Sequence, residues 1–316
     1  STTTSLLFDP DVGKLASYSV PMPKRMPKIG WVEHSPEEFY QTSISSANGA
    51  LNKANMKWED VAGIGFANQG ETSMAWSGKT GLGIGPALSW EDKRTDMVCD
   101  ELRLNGVDDL IRERTGILLD PYFSAPKFKW LIDNIPEISE ARSRGDLRLG
   151  GTESYVMNRL TQGEIHSTEP GTASRTALFN LYDVAWDEKL LDTFGLEEVQ
   201  LPSVFSSCGK YGMACHKDFC GSKIPITANA VDSHAALFAQ GCNDSSTVKA
   251  TYGTGAFIEI NSGITPIKPD GNLLVFVAWE IDGQVNYALE GGVFSVGSAI
   301  DWLVKSGLLS DAATSG

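Results

Sequence analysis

The order of apolar and polar residues along the chain predicts short strands and helices without an internal repeat. In the first part of the chain, apolar runs bounded by turn residues predict strands. These strands are expected at residues 5–9, from about Leu15, and at residues 61–67, where the lack of polar residues predicts a buried strand. Helices are expected near residues 92–104, 123–134, 153–160 and 188–194.

One of the helices has a clear start signal in the sequence. Ser35 can cap the helix, Pro36 fits the first helical position, and Glu38 stands where the carboxylate of a capping box belongs. We therefore expect a helix from this point to about Lys53.

A second region, rich in strands, begins near Ile224. Strands are expected at residues 224–230, 247–251, 256–260, 273–280 and 286–289, turns at 261–263 and 282–283, and helices at 233–240 and 296–305. Mixed elements of this kind predict α/β layers in two domains. The predicted division assigns residues 1–228 to the first domain and residues 229–316 to the second.

Composition narrows the class of protein. Of the 316 residues, 41% are apolar and 21% are charged, which is typical of a folded globular protein. The longest apolar run, at residues 273–279, is far too short to span a bilayer, so we expect no membrane partner. The net charge is −14 and no stretch is dense in lysine or arginine, so we expect no nucleic-acid partner.

The five cysteines indicate thiols rather than disulfides. An odd number in a chain long enough to bury a core favours reduced side chains and a cytoplasmic location. Cys208, Cys215 and Cys220 surround His216 and suggest a zinc site, but they include no Cys-x-x-Cys pair to preorganise a tetrahedron. We therefore expect no structural metal.

Three glycine-containing patterns in the sequence resemble phosphate-binding loops to different degrees. Gly78 begins a Gly-Lys-Thr sequence, but Ser73 stands where the first glycine of a Walker loop belongs. The glycine run at 81–85 has the wrong spacing for a dinucleotide fingerprint and is expected to form a hairpin turn. Residues 251–255, Thr-Tyr-Gly-Thr-Gly, fit a phosphate-binding loop better, because they join two predicted strands. Glycines beside a threonine let backbone N–H groups and a hydroxyl approach a phosphate closely.

Several stretches of the chain resemble the glycerol kinase branch of the FGGY carbohydrate kinases, in the same order along the sequence. They are Gly-Trp-Val-Glu-His at 30–34, Asn-Gln-Gly-Glu-Thr at 68–72, Asp-Pro-Tyr-Phe-Ser at 120–124, Ala-Ser-Arg-Thr-Ala-Leu-Phe-Asn at 173–180, residues 251–257, and Tyr-Ala-Leu-Glu-Gly at 287–291. The resemblance implies an α/β, actin-like and ribonuclease-H-like fold of two domains, with the active site in the cleft between them. It also implies ATP-dependent phosphorylation of a hydroxyl of glycerol or a closely related small polyol, with ATP and Mg²⁺ as cofactors and a homo-oligomeric assembly, a dimer or tetramer.

The resemblance further implies roles for individual residues. From its position alone, Asp232 is expected to cap the helix at 233–240; the resemblance implies that it is also the general base that takes the proton of the attacking hydroxyl. The implied substrate-binding residues are Asp232, Glu71 and Tyr122 for the hydroxyls, and Trp90 and Phe257 for the carbon chain. The residues alone also fit a plainer interpretation, in which Trp90 and Phe257 belong to the core and Glu71 to an exposed turn. The implied nucleotide-binding residues are Gly253, Thr254, Gly255 and Gly297.

Four positions depart from the family pattern. Gly70 replaces an arginine, and Ser233, Glu91 and Asp301 each replace a glutamine. The losses at 70 and 233 are expected to make the pocket roomier and poorer in donors, which favours a longer polyol or sugar of four to five carbons. A catalytically silent polyol-binding relative is the alternative from another class, and a ketose kinase of the same family fits less well.

Two segments of the family pattern fall outside this sequence. The Asp-x-Gly-Thr phosphate loop of the family would precede the segment that residues 1–9 match, and its Gly-Gly adenine motif would lie beyond Gly316. We therefore expect the chain to be part of a longer polypeptide.

Overall fold

The chain mixes strands and helices, and its strands form several small sheets. The computed structural model describes residues 2–219, 221–253, 255–293 and 295–312. The helices in this part are α1 (Pro36–Ala54), α2 (Asp96–Leu104), α3 (Asp108–Thr115), α4 (Ser124–Asn134), α5 (Pro136–Ser143), α6 (Thr152–Leu160), α7 (Pro170–Ser174), α8 (Glu188–Phe194), α9 (Asp232–Ala239) and α10 (Gly297–Lys305). The strands are β1 (Thr2–Asp9), β2 (Gly13–Pro21), β3 (Glu33–His34), β4 (Ile64–Asn68), β5 (Ser73–Ser77), β6 (Gly83–Leu88), β7 (Leu147–Gly150), β8 (Ser167–Thr168), β9 (Phe179–Asn180), β10 (Ala185–Trp186), β11 (Ser203–Val204), β12 (Cys208–Ala214), β13 (Ile224–Val231), β14 (Val248–Tyr252), β15 (Ala256–Gly263), β16 (Leu274–Ile281) and β17 (Gln284–Val293).

Helix α1 begins as its start signal predicts. Pro36 is its first residue, and the N–H of Ser35 donates a hydrogen bond to Glu38 Oε2 at 3.2 Å. The helix packs on the hairpin of β1 and β2 at a point where only glycine fits. A Cβ atom on Gly49 would lie 2.3 Å from the ring of Tyr18, far closer than packed atoms approach.

The pairing of β4 with β13 positions the candidate site. The two strands are parallel, and Val231 at the end of β13 lies opposite Asn68 at the end of β4. The residues that follow both strands therefore emerge at the same edge of the three-stranded sheet, whose order is β12-β13-β4. This register places residues 69–71 beside Asp232, although they are distant in sequence.

Two four-stranded sheets complete the surroundings of the site. One has the order β3-β6-β5-β7 and contains β5, whose residues are all buried. The other has the order β14-β15-β17-β16 and is antiparallel throughout. Phe257 on β15 pairs with Gly292 on the neighbouring strand β17. Phe257 and Glu290 of this sheet both lie near the edge where β4 and β13 end.

Helix α4 packs at the centre of a hydrophobic core. Its contacts reach α2, α5, α8 and β5. Phe128 and Leu131 on this helix are buried with Phe123 just before it and Ile111 on α3. Each such side chain contributes about 1.5–3 kcal/mol through burial, so this packing holds the start of α4 rigidly. That rigidity matters because residues 120–124 lead into the candidate site.

Most predicted elements are confirmed, with several corrections. The strand predicted at 61–67 forms at Ile64–Asn68 and is only partly buried, because β4 lies at the edge of its sheet. Helices α3, α5 and α7 and strands β3 and β5–β12 were not predicted. The turn predicted at 261–263 is wrong, since β15 continues to Gly263 through an irregularity in its pairing. The glycine run predicted as a hairpin turn continues into β6.

The mixed α/β class is confirmed. The division at residue 228 and the cleft between two domains stay predictions. No helix in the described ranges is long and apolar enough to cross a membrane.

Candidate active site

A cavity of about 300 Å³ lies where β4 and β13 end. All the residues predicted to bind substrate line this cavity: Glu71, Trp90, Tyr122, Asp232 and Phe257. Two of the positions that depart from the family pattern, Gly70 and Ser233, line it as well.

Glu91, a third departure, is engaged elsewhere. Its Oε2 accepts a hydrogen bond from Lys24 Nζ at 2.5 Å in a partly exposed ion pair. Its charge is therefore countered by a lysine and does not face the cavity as a lone carboxylate. Asp301, the remaining departure, lies on the exposed helix α10.

Asp232 is the first residue of α9 rather than its cap. The residue before it, Val231, is the N-cap, so the predicted capping position is wrong by one residue. The Asp232 carboxylate accepts a hydrogen bond from the N–H of Ser233 at 2.7 Å. The carboxyl is exposed in the cavity, but the surrounding protein removes part of its hydration and raises its pKa. A carboxylate with a raised pKa is a stronger base.

Glu71 is buried and held by two neighbours. The guanidinium of Arg175 donates a hydrogen bond to Glu71 Oε1. A side-chain hydrogen bond also joins Glu71 to the Tyr122 hydroxyl, and burial together with the Glu71 charge raises the pKa of Tyr122 well above its usual range. Tyr122 therefore stays a neutral hydroxyl, which can both donate and accept.

The apolar part of the site is aromatic. Trp90 and Tyr122 pack edge to face, with ring centroids 6.0 Å apart and planes at 82°. Phe257 on β15 and Trp90 are both partly exposed towards the cavity, which makes them available to cover the carbon chain of a ligand. Neither residue belongs wholly to the core.

Lys127 was not singled out in the sequence, and the structure makes it part of the site. It is fully buried on α4, and its Nζ donates hydrogen bonds to the main-chain carbonyls of Glu71 at 3.1 Å and Tyr122 at 2.5 Å. Burial lowers the pKa of Lys127 to about 7. Its spacing could have revealed it, since the residues four positions away on either side, Phe123 at the N-cap of α4 and Leu131 within the helix, are both core residues.

Arg175, a nearly buried residue of the cavity lining, joins two distant segments. Its guanidinium donates hydrogen bonds to Glu71 and to Glu290 on β17, and it stacks 3.9 Å from the ring centre of Phe276. Burial raises the pKa of Glu290 to about 7. Arg175 is itself buried, so its charge is compensated by these carboxylates rather than by water.

One set of buried side chains has the residue types of a metal site. The donor atoms of His234, Glu259 and Glu290 lie within 4.8 Å of one another. Two cations already occupy the space: Lys249 Nζ lies 2.5 Å from Glu259 Oε2, and Arg175 Nη2 lies 3.5 Å from His234 Nε2 and bonds Glu290. A metal ion would be repelled by both cations, so this set does not fit a metal.

The predicted nucleotide-binding glycines lie together at the start of α10. The N–H of Gly297 donates to the carbonyl of Gly253 at 3.1 Å, and the N–H of Gly253 donates to the carbonyl of Gly255 at 2.8 Å. No other atom would crowd a Cβ on Gly253 closer than 4.0 Å, so a phosphate could approach this turn. The start of a helix also presents a favourable dipole to an anion. Thr254 lies outside the described residues.

Comparison with known proteins defines the class to which this fold and site belong, the carbohydrate kinases. Residues 1–239 match the N-terminal domain of the FGGY family of carbohydrate kinases. The chain belongs to this family, as the resemblance implied.

The relatives that match the chain are glycerol kinases. The chain is 39% identical to the glycerol kinase of Rhodopseudomonas palustris over 100% of its own length and 63% of that protein. It is 41% identical to the glycerol kinase of Caldanaerobacter subterraneus over 96% of this chain and 61% of that protein. The crystal structure of Plasmodium falciparum glycerol kinase with ADP superposes with a TM-score of 0.90 at 29% identity, covering 99% of this chain and 63% of that one. The chain therefore spans less than two thirds of these relatives.

Proposed function

We propose that the intact protein transfers the terminal phosphoryl group of ATP to a hydroxyl of glycerol or a closely related small polyol, with Asp232 as general base. One observation carries the proposal. Glu71, Trp90, Tyr122, Asp232 and Phe257 come from five separate parts of the chain, and all of them line one cavity of about 300 Å³. That volume is at the lower end of the range for small-molecule sites.

The proposed reaction assigns a task to each side chain. Glu71 accepts a hydrogen bond from a substrate hydroxyl and Tyr122 exchanges one, while the ring faces of Trp90 and Phe257 cover the carbon chain. Asp232 takes the proton of the attacking hydroxyl as its oxygen bonds to the γ-phosphorus and the bond from phosphorus to the leaving ADP oxygen breaks.

The charges of the cavity favour a neutral acceptor. Its lining includes three carboxylates, Glu71, Asp232 and Glu290, against two cations, Arg175 and Lys249. Both cations are engaged, since Arg175 bonds Glu71 and Glu290 and Lys249 bonds Glu259 and the carbonyl of Ser233. A sugar acid would bring its negative charge towards these carboxylates, whereas a polyol carries no charge and its hydroxyls can donate hydrogen bonds to them.

The nucleotide is proposed to bind at the glycine turn. Gly253, Gly255 and Gly297 meet there at the start of α10, and the solved Plasmodium falciparum glycerol kinase holds ADP. Thr254 is proposed to add its hydroxyl to the same phosphate site. Mg²⁺ bound with ATP would neutralise charge on the phosphates. We also propose a homo-oligomeric assembly, a dimer or tetramer, in the cytoplasm.

A longer polyol is the second candidate substrate, because Gly70 and Ser233 put two small residues in the cavity wall. The test is a phosphorylation screen of the intact gene product with ATP against glycerol, erythritol, threitol, ribitol, xylitol, gluconate and several ketoses. We expect transfer to a neutral polyol of three to five carbons and none to gluconate. Binding of a polyol without transfer would identify a silent relative, and failure to bind any polyol would refute the proposal.

A further inference from the structure

Gly70 and Arg175 lie so close together that no side chain would fit at position 70 unless Arg175 moved. A Cβ atom on Gly70 would lie 2.5 Å from Cδ of Arg175 and 3.3 Å from Cγ1 of Val231. Gly70 is not among the residues with positive φ, so its backbone does not require glycine. The requirement comes from packing: Arg175 occupies the space that a side chain at 70 would need.

This packing fixes where the Arg175 guanidinium can lie. Its Cδ packs against Gly70, its central carbon lies 3.9 Å from the ring centre of Phe276, and its two terminal nitrogens bond Glu71 and Glu290. A guanidinium has a rigid fork of donors, so holding its stem and its face also fixes the two carboxylates. Glu71 is thus oriented by a buried group in the floor of the cavity.

The same arrangement shapes the cavity wall. The space expected to be vacant at position 70 is partly filled from below by the Arg175 side chain. Each terminal nitrogen of Arg175 donates a hydrogen bond to a carboxylate, and its Nε is buried without a hydrogen-bond partner. The wall at Gly70 therefore offers a ligand main chain and aliphatic surface, while acceptors lie on either side.

We propose that Arg175, seated on Gly70, is a positioning residue that sets which polyol the cavity accepts. It holds Glu71 in the orientation that receives substrate hydroxyls. Because it packs against Gly70, no side chain at position 70 narrows the cavity, which leaves room for a polyol longer than glycerol. This inference rests on the polyol kinase function proposed above.

The test compares Gly70→Ala with Gly65→Ala in the intact protein. Gly65 lies on β4, the strand that leads to Gly70, and a Cβ there would meet Ala228 at an ordinary 3.5 Å. The measurements are kcat and KM for glycerol and for the best longer polyol, and the melting temperature. For Gly70→Ala, Arg175 must move and release Glu71, so we expect KM for the longer polyol to rise about tenfold or more with a smaller change in kcat. For Gly65→Ala we expect no change in either constant.

The ratio of kcat/KM between the two substrates separates positioning from a structural role. A loss of folded protein would lower kcat for both substrates equally, whereas displaced Glu71 changes their ratio. If Gly70→Ala does not fold, Arg175→Lys keeps the positive charge without the fork, and we expect the same change in the ratio.

This inference alone would be overturned if the wild type is active on polyols but Gly70→Ala leaves the kcat/KM ratio unchanged. If Gly70→Ala does not fold, an unchanged ratio in Arg175→Lys would overturn it in the same way. A wild type that phosphorylates no polyol would overturn the proposed function and this inference with it.

Discussion

The buried ammonium of Lys127 donates a hydrogen bond to the main-chain carbonyl of Glu71 at 3.1 Å. The same nitrogen donates a hydrogen bond to the carbonyl of Tyr122. One side chain on α4 therefore links two segments that each contain a predicted substrate-binding residue. Because α4 is anchored in the hydrophobic core, this link transmits the rigidity of the core to the cavity.

Replacing Lys127 with methionine should loosen the cavity without removing any group that contacts substrate. Methionine has a similar length but no donor, so the segments at Glu71 and Tyr122 lose their shared partner. We expect KM for the polyol to rise by about tenfold to a hundredfold, with a smaller effect on kcat. The measurement is steady-state kinetics of the intact protein.

The matched control for this change is Lys129→Met. Lys129 lies on the same helix but forms a partly exposed ion pair with Asp133 at 2.9 Å, which contributes little. If both variants change KM equally, Lys127 has no special role in positioning the ligands.

Lys127 also predicts a pH dependence of stability. Its pKa of about 7 in the folded protein lies below the value of about 10.4 in an unfolded chain. Between these values the unfolded state binds the extra proton, so this group makes the free energy of unfolding rise as the pH rises. The cost of burying the charge is complete below pH 7 and is relieved towards pH 10.

The measurement is urea denaturation of wild type and Lys127→Met from pH 6 to pH 10. The difference in the free energy of unfolding, wild type minus variant, should increase over this range, because the other titrating groups are shared. A difference that stays constant would show that Lys127 has an ordinary pKa in the folded protein.

Asp232→Asn should separate chemistry from folding. The carboxylate of Asp232 accepts one hydrogen bond, from the N–H of Ser233, and an asparagine oxygen can accept the same bond. We expect the melting temperature to change little and kcat to fall by about two to four orders of magnitude, the loss expected for a positioned base.

Asp244→Asn is the control for Asp232→Asn. Asp244 is an exposed aspartate whose carboxylate likewise accepts a hydrogen bond from a nearby N–H, that of Ser246. Near-normal kcat in Asp232→Asn would leave this residue with a structural role only.

Ser233→Gln should shift the preferred substrate towards glycerol. Ser233 lines the cavity, and glutamine would both reduce its volume and add donors. We expect the ratio of kcat/KM for glycerol to that for a longer polyol to rise about tenfold, as one regained hydrogen bond to a substrate hydroxyl allows. An unchanged ratio in a folded variant would show that position 233 does not set specificity.

Adding Gly70→Arg to this variant tests the contact at Gly70. The family pattern has an arginine there, but in this chain its Cβ would collide with Arg175. We expect the double variant to shift further towards glycerol and to melt at a lower temperature than Ser233→Gln alone. A double variant with unchanged stability would mean that Arg175 yields its position freely.

Local features of the fold could be predicted from the sequence because they depend on neighbouring residues. The start of α1 follows from Ser35, Pro36 and Glu38, which interact within one turn. The turn between β16 and β17 follows from Asp282 and Gly283, whose φ values of 53° and 78° suit a tight hairpin. In both cases the interactions that decide the conformation lie within a few residues.

The members of the candidate site were identified from sequence by resemblance, but their arrangement depends on strand pairing. Glu71 and Asp232 meet because β4 and β13 run parallel with Val231 opposite Asn68. No local pattern specifies that register, since parallel strands are joined through long connections.

The sequence by itself determined the family, the mixed α/β class and the residue types of the cavity. Only the tertiary structure decided that Lys127 bonds the main chain of two predicted substrate-binding residues, Glu71 and Tyr122, and that Arg175 packs against Gly70. From the sequence, Gly70 predicts the loss of a side chain and an enlarged pocket. In the folded protein part of that space is filled by an arginine from a distant segment, because close packing leaves few voids in an interior and long-range contacts determine which side chain fills each one.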